Sequence, residues 1–114
     1  MLKAIVNETE RVFEKVDTHV YNTAGSASKA VAEEIADLIK SKAKKGKNCV
    51  LGLATGSTPK QVYAELVRLH KEEGLSFKNV ITYNLDEYYP MAPNAEQSYV
   101  LFMRQQLFDH VDIP

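Results

Sequence analysis

Residues 49–59, Cys49-Val50-Leu51-Gly52-Leu53-Ala54-Thr55-Gly56-Ser57-Thr58-Pro59, decide the fold. From residue 48 to 54 the run is almost continuously apolar, the mark of a strand covered on both faces. It stops in a small, hydroxyl-rich turn, after which Thr58 suits a helix N-cap and Pro59 the first helical position. Downstream, Val62, Leu66 and Leu69 share one helical face and Gly74 suits the end of that helix. Residues 80–85 form a second apolar run, stopping in Asp86 and Glu87. Upstream, Val31, Ile35, Leu38 and Ile39 predict a helix reaching about Lys44, with Gly46 ending it. Before it, residues 22–28, including Gly25 and Ser26, supply turn and cap residues, and His19-Val20-Tyr21 offers a short strand. Residues 86–97 read as a polar loop holding Pro90 and Pro93, and Tyr99, Phe102, Met103 and Leu107 mark a last helix. Residues 3–13 fit either a short helix or an arm.

Strand, helix, strand, helix, strand is the βαβαβ pattern of an α/β fold. It predicts an open, Rossmann-like parallel sheet with helices on its faces and right-handed crossovers. Asp112-Ile113-Pro114 follows a helix with no closing strand, and three strands leave open edges. The expectation is an incomplete domain, with residues 1–114 the N-terminal part of a protein continuing past Pro114.

Composition narrows the function classes. The 114 residues are 45% hydrophobic and 25% charged, with net charge −1. That balance argues against nucleic acid or an anionic membrane surface as partner. Lys40, Lys42, Lys44, Lys45 and Lys47 form the one basic cluster, placed where cations favour the negative end of a helix dipole. The single cysteine, Cys49, excludes an intrachain disulfide and reads as a small core residue. No apolar stretch reaches membrane-spanning length and no secretory leader opens the chain, so a cytoplasmic location is expected. His19, His70 and His110 are scattered without metal-ligand spacing.

Two segments carry chemistry. A turn entering a helix start, with Gly56 allowing close backbone approach and Ser57 and Thr58 adding hydroxyls, suits a phosphate; it equally suits a plain capped helix. The P-loop needs Lys directly after its second glycine, where this chain has Ser57, and the dinucleotide fingerprint needs three glycines, so ATP and NAD are not expected. Asp86 and Glu87 follow a strand's carboxyl end, where open α/β sheets place their ligands. Adjacent residues there point in different directions, so one faces the pocket and the other solvent or a supporting partner. Tyr83, Tyr88 and Tyr89 read as packing or pocket-wall residues.

Leu51 to Pro59 as quoted, Tyr63, Leu69-His70-Lys71, Leu75-Ser76-Phe77-Lys78-Asn79-Val80 and Asn84-Leu85-Asp86-Glu87-Tyr88 together resemble the glucosamine-6-phosphate deaminase (isomerase) family. The likeness continues through Gln97-Ser98-Tyr99, Phe102-Met103 and Leu107-Phe108-Asp109-His110-Val111-Asp112-Ile113-Pro114. The resemblance implies conversion of glucosamine 6-phosphate and water to fructose 6-phosphate and ammonia. It implies Asp86 as proton acceptor in enolisation and Thr55, Gly56, Ser57 and Thr58 as the sugar-phosphate loop, with Glu87 also substrate-binding. No cofactor or metal is implied. The expected partner is a small-molecule sugar phosphate, and a homo-oligomer is allowed. Two departures stand out. Tyr89-Pro90-Met91 replaces the Val-Gly-Leu stretch of many members, and the ring-opening Asp-Gly-His segment, the cationic phosphate ligands and the allosteric contacts do not occur in these residues. The rival readings are a 6-phosphogluconolactonase-like hydrolase, which usually has arginine where Tyr88 stands, and a non-catalytic sugar-phosphate sensor domain.

Overall fold

The two apolar runs pair. Cys49–Leu53 forms β1 and Val80–Asn84 forms β2, a parallel pair in register from Cys49 opposite Val80 to Leu53 opposite Asn84. The computed structural model describes residues 16–114, so the helix-or-arm reading of residues 3–13 lies outside the described residues. The elements run α1 (Ala24–Lys44), β1, α2 (Lys60–Glu73), β2, α3 (Tyr99–Gln106) and a single 3-10 turn, Phe108–His110. This is the expected α/β order with a parallel sheet. The sheet has two strands among the described residues, not three. His19-Val20-Tyr21 pairs with neither strand. One apolar side chain between polar neighbours, with Val20 46% exposed, offers too little burial to offset the entropy of ordering it.

α1 begins earlier than the spacing suggested. Thr23 is its N-cap, accepting from the Ser26 N–H at 3.0 Å, so Gly25 and Ser26 belong to the first helical turn. Its buried stripe is Ala32, Ala36 and Ile39, whereas Val31 and Leu38 are exposed. Alanines let the helix axis approach α2 and β1 closely, so the small residues, not the branched ones, take the inward face. Gly46 adopts positive φ just past the helix, and Lys42 and Lys44 lie in its last turn as expected. α2 buries Tyr63, Leu66 and Leu69 and ends at Gly74 in the left-handed conformation.

The helices cover one face of the sheet. Cys49, Leu51, Leu53 and Val80 point into a core with Leu66, Phe77, Met103 and Leu107. Cys49 is buried there, and burial pushes its thiol pKa up, as befits an inert core residue. On the other face Val50, Ile81 and Tyr83 are 59%, 41% and 65% exposed. Cover on both faces is therefore not what the described residues provide. Their alternation follows the pleat, and the outward residues are β-branched or aromatic types that suit a strand. No helix among the described residues is long and apolar enough to cross a membrane.

The last residues clasp the α2–β2 connection. Asp112 accepts from the Phe77 N–H at 2.6 Å and the Ser76 hydroxyl at 2.8 Å. Burial pushes this carboxyl up, but the two hydrogen bonds outweigh it and hold it below the ordinary range. A folded pKa below the unfolded one gives stability that is full above the unfolded value, about 4, and lost as pH falls through the folded one. Asp112→Asn is expected to cost about 1–3 kcal/mol at neutral pH and to flatten the acid limb of the stability curve. Denaturant melts from neutral to acid pH check this; identical acid limbs for both proteins would count against the clasp.

Candidate active site

β1 delivers the chain to the sheet edge at Ala54, whose carbonyl accepts the hydroxyl of buried Tyr63 from α2. Burial, opposed by that bond, raises the Tyr63 phenol pKa. This bond ties the strand end to the helix that follows. Between them the chain turns through Gly56, at φ 101°, a conformation that favours glycine. Pro59, not Thr58, is the residue at the helix boundary, and α2 has no side-chain cap. Pro59 already has near-helical dihedrals, φ −81° and ψ −5°, so Thr58 lies one residue too early to cap and stands exposed in the turn. The uncapped start leaves N–H groups and positive dipole directed at the turn.

β2 brings the acidic pair to the same edge. Asn84 Nδ2 donates to the Leu53 carbonyl at 3.3 Å, fixing the two strand ends side by side. Asp86 and Glu87 follow and are exposed. Glu87 turns to the start of α3, accepting from the Tyr99 N–H at 3.0 Å, the Val100 N–H at 3.2 Å and the Ser98 hydroxyl at 3.2 Å. The Tyr99 N–H, above all, holds the Glu87 carboxyl below its ordinary range.

A cavity of about 320 Å³ separates the two helix starts, lined by Thr55, Gly56, Ser57 and Lys60 on one side and by Glu96, Gln97, Ser98, Tyr99 and Phe102 on the other. Lys60 Nζ stands 5.9 Å from the Phe102 ring centre, so its cation is held over an aromatic face. Tyr99 stacks at a tilt on Tyr88, with ring centres 5.2 Å apart. Its phenol pKa is raised, chiefly by the Tyr88 hydroxyl, with the Asp86 charge adding to the rise and the Thr55 hydroxyl opposing it. Thr55 and Tyr99 line this cavity together, whereas Asp86 is not among its lining residues and bears on Tyr99 through its charge.

The arrangement brings Thr55, Gly56 and Ser57 to one cavity, leaves Thr58 on the outer side of the turn, and commits Glu87 to α3. Sequence reading missed Lys60 and Tyr99. The serine after the proline-bearing loop signals a helix start at Ser98, and with it Tyr99 at the site edge, but nothing local marks Lys60. A larger cavity, about 480 Å³, runs along α1 beside Val31, Ile35 and Leu38; it is lined by one helix and touches neither strand end. His70 and His110 each donate to a backbone carbonyl, of Leu75 at 2.6 Å and Gln105 at 2.8 Å, which are structural roles.

Comparison with known proteins bears on the same residues. The family described as glucosamine-6-phosphate isomerases/6-phosphogluconolactonase matches residues 22–114. Glucosamine-6-phosphate deaminase 2 of Giardia intestinalis is 53% identical over 90 residues, 79% of this chain and 33% of that protein. Glucosamine-6-phosphate deaminase of Bacillus velezensis is 49% identical over 82 residues, 72% of this chain and 34% of the relative. A solved monomeric glucosamine-6-phosphate deaminase superposes with a TM-score of 0.77 at 41% identity, over 82% of this chain and 37% of the other. The chain thus spans about one third of the length of these curated relatives.

Proposed function

We propose, because the chain belongs to the family of glucosamine-6-phosphate isomerases/6-phosphogluconolactonase, that it is the N-terminal part of a sugar-phosphate deaminase/isomerase domain. The whole protein, in this reading, converts glucosamine 6-phosphate and water to fructose 6-phosphate and ammonia. The observation that carries it is identity of 53% and 49% to proteins named glucosamine-6-phosphate deaminase, with the quoted loop and acidic segments inside residues 22–114 that the family matches.

The geometry supports a division of labour. Thr55, Gly56 and Ser57, the uncapped start of α2 and Lys60 form the one side of the cavity suited to a phosphate. The other helix start is already filled by Glu87. Asp86 is the base. It takes the C2 proton of the open-chain amino sugar as the C1 aldehyde oxygen gains a proton, giving an enolamine. It then delivers the proton to C1, which leaves an iminium at C2; water adds at C2 and ammonia departs. Near-neutral charge and a small-molecule substrate fit a cytoplasmic enzyme, free or as a homo-oligomer.

Assay of the full-length protein on two substrates tests the reading. Ammonia and fructose 6-phosphate in equal amounts from glucosamine 6-phosphate is the expected result. Opening of 6-phosphogluconolactone without ammonia release would favour the lactonase branch of the family, and inactivity on both would favour a sensor.

A further inference from the structure

Asp86 lies on a loop that leaves β2 after Asn84 and remains largely exposed until Ser98. A base must be held within a fraction of an ångström of its proton, and an exposed loop resists such fixing. The sheet holds one end of the loop through Asn84. The other constraint is Glu87.

The Glu87 carboxylate meets four donors. The Tyr88 N–H reaches Oε1 at 3.0 Å, and the Tyr99 N–H reaches both oxygens at 3.0 Å. The Val100 N–H and the Ser98 hydroxyl both reach Oε2 at 3.2 Å. Ser98 is 1% exposed, and its hydroxyl also accepts the Leu101 N–H at 3.3 Å, so carboxylate and hydroxyl divide the first-turn donors of α3 between them. The anchor is firm because α3 is rooted in the core by Met103 and Leu107, 0% and 1% exposed. A carboxylate at a helix start also meets the positive end of the dipole. Both Glu87 oxygens are thereby occupied, and the residue on either side of it is placed: Asp86 before it, and Tyr88 on the Tyr99 ring after it.

We infer that Glu87 is a positioning residue, fastening the Asp86 loop to the start of α3, and that it does not contact the sugar. This reassigns it from the substrate-binding role that the sequence suggested, and it rests on the reading of Asp86 as base.

Steady-state kinetics and solvent-deuterium exchange at C2, on the full-length protein with glucosamine 6-phosphate, test this in three variants. Glu87→Gln keeps the shape but points an amide donor at backbone donors. It is expected to lower kcat about tenfold or more with KM moving less than about twofold, since small misplacement of a reacting group costs rate rather than binding. Exchange should fall in step with kcat. Ser98→Ala leaves the carboxylate and deletes one donor; it should shift kcat in the same direction by a smaller factor, and it decides the matter if Glu87→Gln fails to fold. A raised KM with unchanged kcat in Glu87→Gln would make Glu87 a sugar ligand and overturn the inference. Unchanged kcat in both variants, beside an inactive Asp86→Asn, would overturn it while sparing the base. Full activity in Asp86→Asn would overturn the base and the inference together.

Discussion

Asp86→Asn in the full-length protein is expected to lower kcat by about 10²–10⁴-fold while folding and sugar-phosphate binding survive. The amide has the size of the carboxylate and most of its hydrogen-bonding capacity, but no useful basicity. Asp86 is exposed and the strand ends are held by other groups, chiefly the Asn84 side chain on the Leu53 carbonyl, so the substitution leaves the scaffold alone. Deuterium incorporation at C2, followed beside ammonia release, separates proton transfer from later steps. Normal exchange in this variant would place the base elsewhere.

The second large effect is structural. Phe77→Ala should cost about 3–5 kcal/mol, because a fully buried aromatic is deleted where neighbours can close only part of the void. Phe77 is 0% exposed, its ring meets His70 edge-on with centres 6.2 Å apart, and its N–H is held by Asp112. It plugs the core where the chain turns from α2 into β2. Val50→Ala, on the open face of the sheet at 59% exposure, is the control and should fall within about 0.5 kcal/mol. Denaturant midpoints at unchanged slope give both numbers. Equal losses from the two positions would contradict the placement of the core.

How much of this was legible in the sequence depends on whether the signal was local. β1, β2 and the end of α2 at Gly74 were readable because apolar runs and a glycine stop act over a few residues. The inward face of α1 was misread, since helical spacing ranks Val31 and Leu38 above Ala32 and Ala36, while close packing against α2 selects the alanines. Thr58 was taken for a cap because Ser or Thr before Pro fits that role, and only the backbone of Pro59 shows the boundary one residue later. At the candidate site, Asp86 could be picked out as a strand-end carboxylate, while its role as base is a proposal. The commitment of Glu87 could not, because its partners lie 11 to 13 residues away, across a loop whose path no local rule fixes.

The parallel pairing of β1 and β2 has a consequence in time. Partners such as Leu53 and Asn84 lie 31 residues apart, so the two strands cannot zip from a tight turn and must wait until α2 has formed between them. Helical segments assemble in microseconds or less, whereas a pairing of this span bears the loop-closure cost first. The two halves of the site, carried separately on the strand ends, therefore come together late in folding. By the same reasoning they are among the first to part in any local opening, and amide exchange should register loss of the Thr55–Asp86 edge before loss of α1 or α2.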